Sequence, residues 1–486
     1  MNLFKNITLL AGIGILSLSC SGDEESSYPP PAPPDPIGEV VGTAEIWATS
    51  GDQSKLLSKQ SDIDIIDNSE TDNPTIIINT SERYQEIAGF GAALTGSSAY
   101  LINNLAASQK TALLNDLFDL EDGIGISYVR MSIGASDFSL SDYTYNDLLQ
   151  GEEDPNLTQF SIEEDEKHIV PVFRNILQIY PELGIMGSPW SAPAWMKTNH
   201  SLHGGSLSPE WYDVYANYFV NYIEAYAAHG ISIDAITPQN EPLHVAGYPT
   251  MRMEAEAQAE FIKNSLGPAF EEEGINTKII AYDHNFDVPQ YPLSILEDEE
   301  ANPYVDGIAF HAYAGNVSAM GTVHNAFPEK GLYFTEISGG EWATNFADNL
   351  KWNIKNILIG STKNWSKTAL FWNLALNENH GPTNNGCQDC RGVVTIASSG
   401  DIERNVEYYV IGHFSKFVRP GAHRIASTEF ASSTNLSSVA FENVDESKVL
   451  VVLNESSSAR NFSVKTGEGI FSTSIDPNSV VTIVWK

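Results

Sequence analysis

The chain has 486 residues, 42% hydrophobic and 10% aromatic, with 26 Lys+Arg against 63 Asp+Glu and a formal net charge of −37. A field of that sign repels phosphate backbones and anionic surfaces, which excludes nucleic acid as a partner and disfavours a polyanionic substrate. The length exceeds one ordinary domain of ~100–200 residues but suits a barrel with an attached module.

Lys5 precedes an apolar run, Ile7 to Leu18, that ends in "LSLSC" at Cys20. A bilayer span takes ~20 apolar residues, so this shorter run reads as the core of an export signal over residues 1–20. A small residue before a cysteine resembles a bacterial lipoprotein signal, in which Cys20 is lipidated and becomes the mature N-terminus. The acidic "SGDEESS" that follows resembles tags that direct lipoproteins to the cell surface. The expectation is an exported monomer anchored in the outer membrane, at the cell surface, with the periplasmic face as the alternative. Residues 21–39 include "YPPPAPPDP" and read as an extended linker, because each proline fixes φ.

Residues 40–85 hold short β-branched stretches, "EIWATS", "SKLLSK" and "TIIIN". Between 86 and 420 eight apolar runs recur, each ending in polar or aromatic residues and followed by a helix-like segment. They are "EIAGFGAAL", "GISYVRMSIG", "LGIMGSPW", "ISIDAITPQNE", "TKIIAYDHN", "VDGIAFHAY", "GLYFTE" and "TALFWNLAL". "SAYLINNLAASQKTALLNDLF" and "EWYDVYANYFVNYIEAYAAHG" carry apolar residues at three- and four-residue spacing, as amphipathic helices do. The second helix starts after Ser208-Pro209 and stops at Gly230. Strands alternating with helices imply βαβ units and a parallel sheet. Eight such units predict an α/β fold, a (β/α)₈ TIM barrel. A doubly wound sheet would show fewer strands and a Gly-rich phosphate turn. From 421 to 486, "RIAST", "LSSVAFEN", "KVLVVLNES", "NFSVKT" and "SVVTIVWK" are strands without helices. They predict a small antiparallel β domain, with the same texture as the stretches over 40–85.

Cys387 and Cys390 stand in "NNGCQDCRG". Two thiols are too few for structural zinc, and a Gly/Asn-rich loop is no redox helix start. In an oxidising compartment a local disulfide is expected.

In such a barrel, chemistry sits at the C-terminal strand ends. Glu241, in "TPQNEP" between Pro238 and Pro242, follows the fourth run, and Glu336, in "YFTEISGG", ends the seventh. Two opposed carboxylates are what glycoside hydrolysis needs, one to protonate the leaving oxygen and one to attack or to activate water. Trp190, Trp195, Asn240, His311, Tyr313, Trp372 and Asn373 share these strand ends. Aromatic faces with amide and imidazole donors make the composition of a sugar site. Asp283, His284 and His311 also sit at strand ends and offer zinc donors. They lack any H-E-x-x-H spacing, so neither metal nor cofactor is expected.

Long motifs carry a family resemblance: "VRMSIGASDFSLSDYTY", "GSPWSAPAWMKTNHSLHGGSL", "TPQNEP", "FTE", "FWNLALNENHGP" and "IGHFSKFVRPGAHRI". From about Ile87 to the C-terminus the chain resembles glycoside hydrolase family 30. The resemblance implies a barrel with an appended β-sandwich formed from both termini, and retention through a covalent glycosyl-enzyme. It implies Glu241 as acid/base, Glu336 as nucleophile and Asn240 on the sugar 2-hydroxyl. Arg130 would support the nucleophile, Asp137 would bind sugar hydroxyls, and Trp190, His311, Tyr313 and Trp372 would line the same subsite. On that basis Arg130 and Tyr313 should lower the pKa of Glu336, and the charge of Glu336 should raise that of Glu241. Ala312, "EISGGEW" and the cysteine loop look like the β-1,6-glucanase side of the family. That implies cleavage of linear β-1,6-glucan or of β-1,6 branches on a β-1,3-glucan such as laminarin. β-Glucosidase, glucosylceramidase, β-xylosidase and β-fucosidase are the alternatives within the family. A surface lipoprotein that binds glycan without cutting it is the alternative from another class.

Overall fold

The eight apolar runs become eight parallel strands that close on themselves. The computed structural model describes residues 38–67 and 70–486. The export signal, Cys20 and most of the linker read from the sequence lie outside these residues. The barrel strands are β1 (Gly89–Ala93), β2 (Tyr128–Ile133), β3 (Gly184–Pro189), β4 (Ala235–Ile236), β5 (Lys278–Asn285), β6 (Gly307–His311), β7 (Gly331–Glu336) and β8 (Ser366–Phe371). They pair in sequence order, and β8 closes on β1. Strands buried on both faces need apolar residues at nearly every position, which is why they read as runs rather than as alternation.

One residue from each of β2 to β8 fills the barrel floor: Tyr128, Met186, Ala235, Ile280, Ala309, Tyr333 and Leu370. Side chains alternate along a strand, so residues two positions later point inward one layer higher. On β2 and β3 these are Arg130 and Ser188. Thr237, just past the two-residue β4, His311 on β6 and Thr335 on β7 belong to the same layer, and all five are fully buried. The sequence thus lays a polar layer directly on an apolar floor.

Two bulges re-aim this layer. Ala309 pairs with Tyr282 while Phe310 pairs with His284, so Asp283 is an extra residue in β5. Phe310 pairs with Phe334 while His311 pairs with Glu336, which makes Thr335 an extra residue in β7. Alternation from Ile280 would turn Asp283 outward. The bulge, with φ of 75° at Tyr282 and 64° at Asp283, brings it into the barrel mouth instead.

The first predicted helix is two, Gly96–Asn103 and Ala107–Phe118. The Asn104 side-chain amide donates to the Tyr100 carbonyl at 2.8 Å and ends the first helix there. The second predicted helix opens as a 3₁₀ turn, Pro209–Trp211, continues as Tyr212–Ala228, and stops before Gly230 at φ 76°.

Val40–Ser50, Ser58–Lys59, Ile63–Ile66 and Thr75–Glu86 join six C-terminal strands in one ten-stranded sheet. The sheet folds over and returns on itself where Ile63–Ile66 pairs with Val40–Ala44. The sandwich is not wholly antiparallel as expected. Ser463–Lys465 runs parallel to Thr75–Ile77, because these strands come from opposite ends of the chain and no hairpin dictates their direction. Every residue of helix Val406–Ser415 is buried. Its His413 contacts the Thr49 and Thr482 hydroxyls, each at 2.8 Å, and so stitches strands of both termini to the barrel side.

Candidate active site

The site is built around a buried cation. Arg130 is completely buried, and its guanidinium donates to Glu336 at 2.5 Å, Asn240 at 2.6 Å, Asp283 at 2.8 Å and Ser188 at 3.3 Å. Such a charge is tolerable only because carboxylates and dipoles surround it. Asn240 is held by its carbonyl end, which leaves its NH₂ as the end available to a ligand. Its own N–H donates to the Pro189 carbonyl at 2.8 Å.

Glu241 stands at φ 44°, a left-handed conformation that is strained for a side-chain-bearing residue. Its N–H donates to the Asp283 carbonyl at 3.0 Å, so the bulge on β5 fixes the turn after β4. Glu336 ends β7, with Oε1 accepting from the Tyr313 hydroxyl at 3.0 Å and Oε2 accepting from Arg130. Carboxylate oxygens of Glu241 and Glu336 lie within 4.8 Å of each other and of a ring nitrogen of His311. Retaining carboxyl pairs stand ~5–5.5 Å apart and inverting pairs ~6.5–9.5 Å, so this spacing is of the retaining class.

The electrostatics reverse both pKa expectations, that Glu336 would be lowered and Glu241 raised. Burial alone would raise Glu241, yet the His311 hydrogen bond at 3.2 Å and its charge outweigh burial and hold Glu241 below its usual value. Burial is also the largest influence on Glu336 and lifts it above the usual value, against the pull of His311 and Arg130 and with help from Glu241. The sequence placed the proton on Glu241. The geometry adds a competitor for it, His311. Burial opposes its charge, but Glu336, Asp283 and Glu241 together push its pKa up to about 9. Burial likewise disfavours ionised Asp283, but Arg130 and His311 hold it well below the usual carboxylate range.

Trp190 and Trp372 stack at 5.0 Å between ring centroids and lie against the Arg130 guanidinium at 5.0 and 5.5 Å. Asp137 is buried beside Trp372, and one of its carboxyl oxygens has no hydrogen-bond partner among the described residues. Burial, then the charges of Glu336 and Glu241, push its pKa well above the usual value. Cys387 and Cys390 form a disulfide, whose loop presses on Asp137. Gly386 is required there, since a Cβ at that position would stand 2.6 Å from the Asp137 Cβ. The loop is also paired to the segment after Glu336, through Gly339 with Arg391 and Gly340 with Cys390.

The structure therefore brings Arg130, Asp137, Trp190, Asn240, Glu241, His311, Tyr313, Glu336 and Trp372 to one barrel mouth. Trp195 is not among them. It is buried, and its indole donates to Asn146 at 2.9 Å, so it serves the core. The candidate zinc trio does not assemble as read, because Asp283 receives the His311 Nε2 hydrogen bond at 3.0 Å. Among the described residues, Glu241, His311 and Glu336 are the three that could jointly face an ion. Their atoms are engaged with Arg130, Tyr313 and one another, and the permanent charge of Arg130 opposes a cation there.

Sequence reasoning missed the layer beneath. Ser188, Thr237 and Thr335 each donate to Asp283 at 2.8 Å. A small hydroxyl residue near the C-terminal end of an otherwise apolar barrel strand was the available signal.

Comparison with known proteins gives likenesses of three kinds, to family domains, to two relatives and to a solved structure. Residues 87–418 match the glycosyl hydrolase family 30 TIM-barrel domain, and residues 421–483 match the family 30 beta sandwich domain. An endo-1,6-beta-D-glucanase of Neurospora crassa is 37% identical over 428 residues, 84% of this chain and 87% of that protein. The lysosomal acid glucosylceramidase of Mus musculus is 32% identical, over 85% of this chain and 83% of its own. A solved endo-β1,6-glucanase superposes with a TM-score of 0.86 at 36% identity, covering 91% of this chain and 99% of that one.

Proposed function

Since the chain belongs to glycosyl hydrolase family 30, we propose that it hydrolyses β-1,6-glucosidic linkages with retention of configuration. The observation that carries the mechanism is the spacing of Glu241 and Glu336 within 4.8 Å. Glu336, between Arg130 and Tyr313, is the nucleophile. Glu241 is the acid that protonates the leaving oxygen and then the base that activates water. Asn240 donates to the sugar 2-hydroxyl, Asp137 binds sugar hydroxyls, and Trp190, Trp372, His311 and Tyr313 line the subsite.

The linkage rests on relatives at 35–37% identity named endo-1,6-beta-D-glucanases and on the solved endo-β1,6-glucanase. Linear β-1,6-glucan and the β-1,6 branches of laminarin are the proposed substrates. The sequence signals support export, lipidation at Cys20 and anchoring at the outer-membrane surface.

Chromatography of digests tests the assignment, using linear β-1,6-glucan, laminarin, an aryl β-glucoside, an aryl β-xyloside and glucosylceramide. Gentio-oligosaccharides or glucose from the first are expected, with the β-anomer appearing first by NMR. A first-formed α-anomer would refute the mechanism, and cleavage of glucosylceramide alone would refute the linkage.

A further inference from the structure

The two carboxylates of the reaction do not touch each other, yet one buried side chain touches the partners of both. We propose that Asp283 is the positioning residue that couples the acid to the nucleophile. One of its oxygens holds Arg130 against Glu336, and the other fixes His311 so that His311 and Glu241 share the proton given to the glycosidic oxygen. This rests on the retaining mechanism proposed above and not on the linkage.

Asp283 is fully buried and accepts five hydrogen bonds. Oδ2 receives Arg130, Ser188 and Thr237, each at 2.8 Å. Oδ1 receives the Thr335 hydroxyl at 2.8 Å and His311 Nε2 at 3.0 Å. A carboxylate so surrounded stays ionised and can only accept. His311 must therefore carry its hydrogen on Nε2, and Nδ1 is left facing Glu241 Oε1 at 3.2 Å. That contact holds one proton in either of two states. His311 is doubly protonated beside a Glu241 carboxylate, or His311 is neutral beside a Glu241 carboxylic acid. The remaining titratable groups around His311 are Glu336, 3.9 Å from Nδ1, Tyr313, whose ring lies edge-on 6.2 Å away, and His284, which burial pushes down to about 4 and keeps neutral.

The steps balance. As the C1–oxygen bond to the leaving sugar breaks, a Glu336 oxygen bonds to C1 and the electron pair goes to the leaving oxygen. His311 Nδ1 first passes the shared proton to Glu241, and that oxygen takes it from Glu241, which leaves His311 neutral and Glu241 ionised. Water then bonds to C1, Glu336 departs with its bonding pair, and the water proton returns through Glu241 to His311. One water is consumed and the site is restored.

Asp283→Asn tests this, because an amide cannot accept at both ends. Two substrates are compared, β-1,6-glucan, whose alkoxide leaving group needs an acid, and 2,4-dinitrophenyl β-glucoside, whose leaving group does not. General acid catalysis is worth about 10²–10⁴-fold. The expected kcat losses are about 10³-fold on the glucan and about 10-fold on the aryl glucoside, with the alkaline limb of the glucan pH profile moved to lower pH. Equal losses on both substrates, no loss, or an unmoved limb would overturn the proposal. Wild-type enzyme inactive on both substrates would instead refute the functional reading. If Asp283→Asn does not fold, Thr335→Val removes one donor from the His311 side. It should lose more activity on the glucan than on the aryl glucoside, and equal losses again overturn the proposal.

Discussion

Tyr313→Phe removes a single hydroxyl from the nucleophile's surroundings. That hydroxyl donates to Glu336 Oε1 at 3.0 Å and lies 3.2 Å from the Ser338 hydroxyl. A hydrogen bond to a charged group contributes about 1.5–3 kcal/mol, and each 1.36 kcal/mol is a factor of ten in rate. The full range would be about 10- to 150-fold. Tyr313 is 44% exposed, so water can replace part of the lost bond, and the lower end, about 10- to 30-fold in kcat/KM, is expected. Glu336 already sits above its usual pKa. Losing a donor to its ionised form raises it further, so the acid limb of kcat/KM should move to higher pH. The assay is hydrolysis of an aryl β-glucoside from pH 3 to 8, with thermal unfolding as a control. A change below threefold with an unmoved acid limb would refute the claim that this hydroxyl supports the nucleophile.

Two further outcomes follow from groups outside the reacting pair. Asp165 is buried without a cation and accepts from Tyr143, Tyr145 and Tyr226 at 2.6, 2.5 and 2.5 Å. Burial pushes its pKa up to about 6 against these hydrogen bonds. Because the folded value exceeds the unfolded one, its stabilisation is complete below about pH 4 and is lost as pH rises through 6. Going from pH 7 to pH 5 should therefore add about 1.3 kcal/mol, a gain absent in Asp165→Asn. Denaturant unfolding at the two pH values measures it, and equal gains in both proteins would exclude the carboxyl as the source. Replacing Cys387 and Cys390 by serine should raise KM several-fold with a smaller change in kcat, because the loop backs Asp137. So short a cross-link adds about 2 kcal/mol to stability. Unchanged KM and unfolding midpoint would show that the loop holds its place without the bond.

The barrel was legible because parallel strands must be apolar on both faces, so "GLYFTE" and "VDGIAFHAY" announced themselves. Even the two-residue β4 was found, since Pro238 and Pro242 mark the turn that holds Glu241. Asp283 was noted only as a zinc donor, and its place in the polar layer escaped for a physical reason. Strict alternation from Ile280 points it away from the axis, and only a bulge with two positive φ angles reverses that. Nothing in the residue types of "AYDHN" signals such a bulge. The protonation order was misjudged likewise, because the 3.2 Å contact joins residues 70 positions apart. Composition shows that both are present, not that they compete for one proton.

The way the sandwich is assembled bears on how the protein comes into being. Val40–Ser50 lies beside Ser479–Trp485, a strand from the far side of the barrel in sequence, and Trp47 faces Thr482 in that register. During synthesis the first strands must wait through the whole barrel with their hydrogen-bonding edges open, and exposed edges invite pairing with other chains. Contacts this far apart in sequence also form slowly. The barrel is thus a long insertion that delays closure of its own companion domain. A chain lacking Ser479–Trp485 would keep both candidate glutamates yet carry a sheet opened between Val40–Ser50 and Lys448–Asn454. Pairing of Ser479–Trp485 along both of its edges therefore decides whether the sheet beside the barrel is whole.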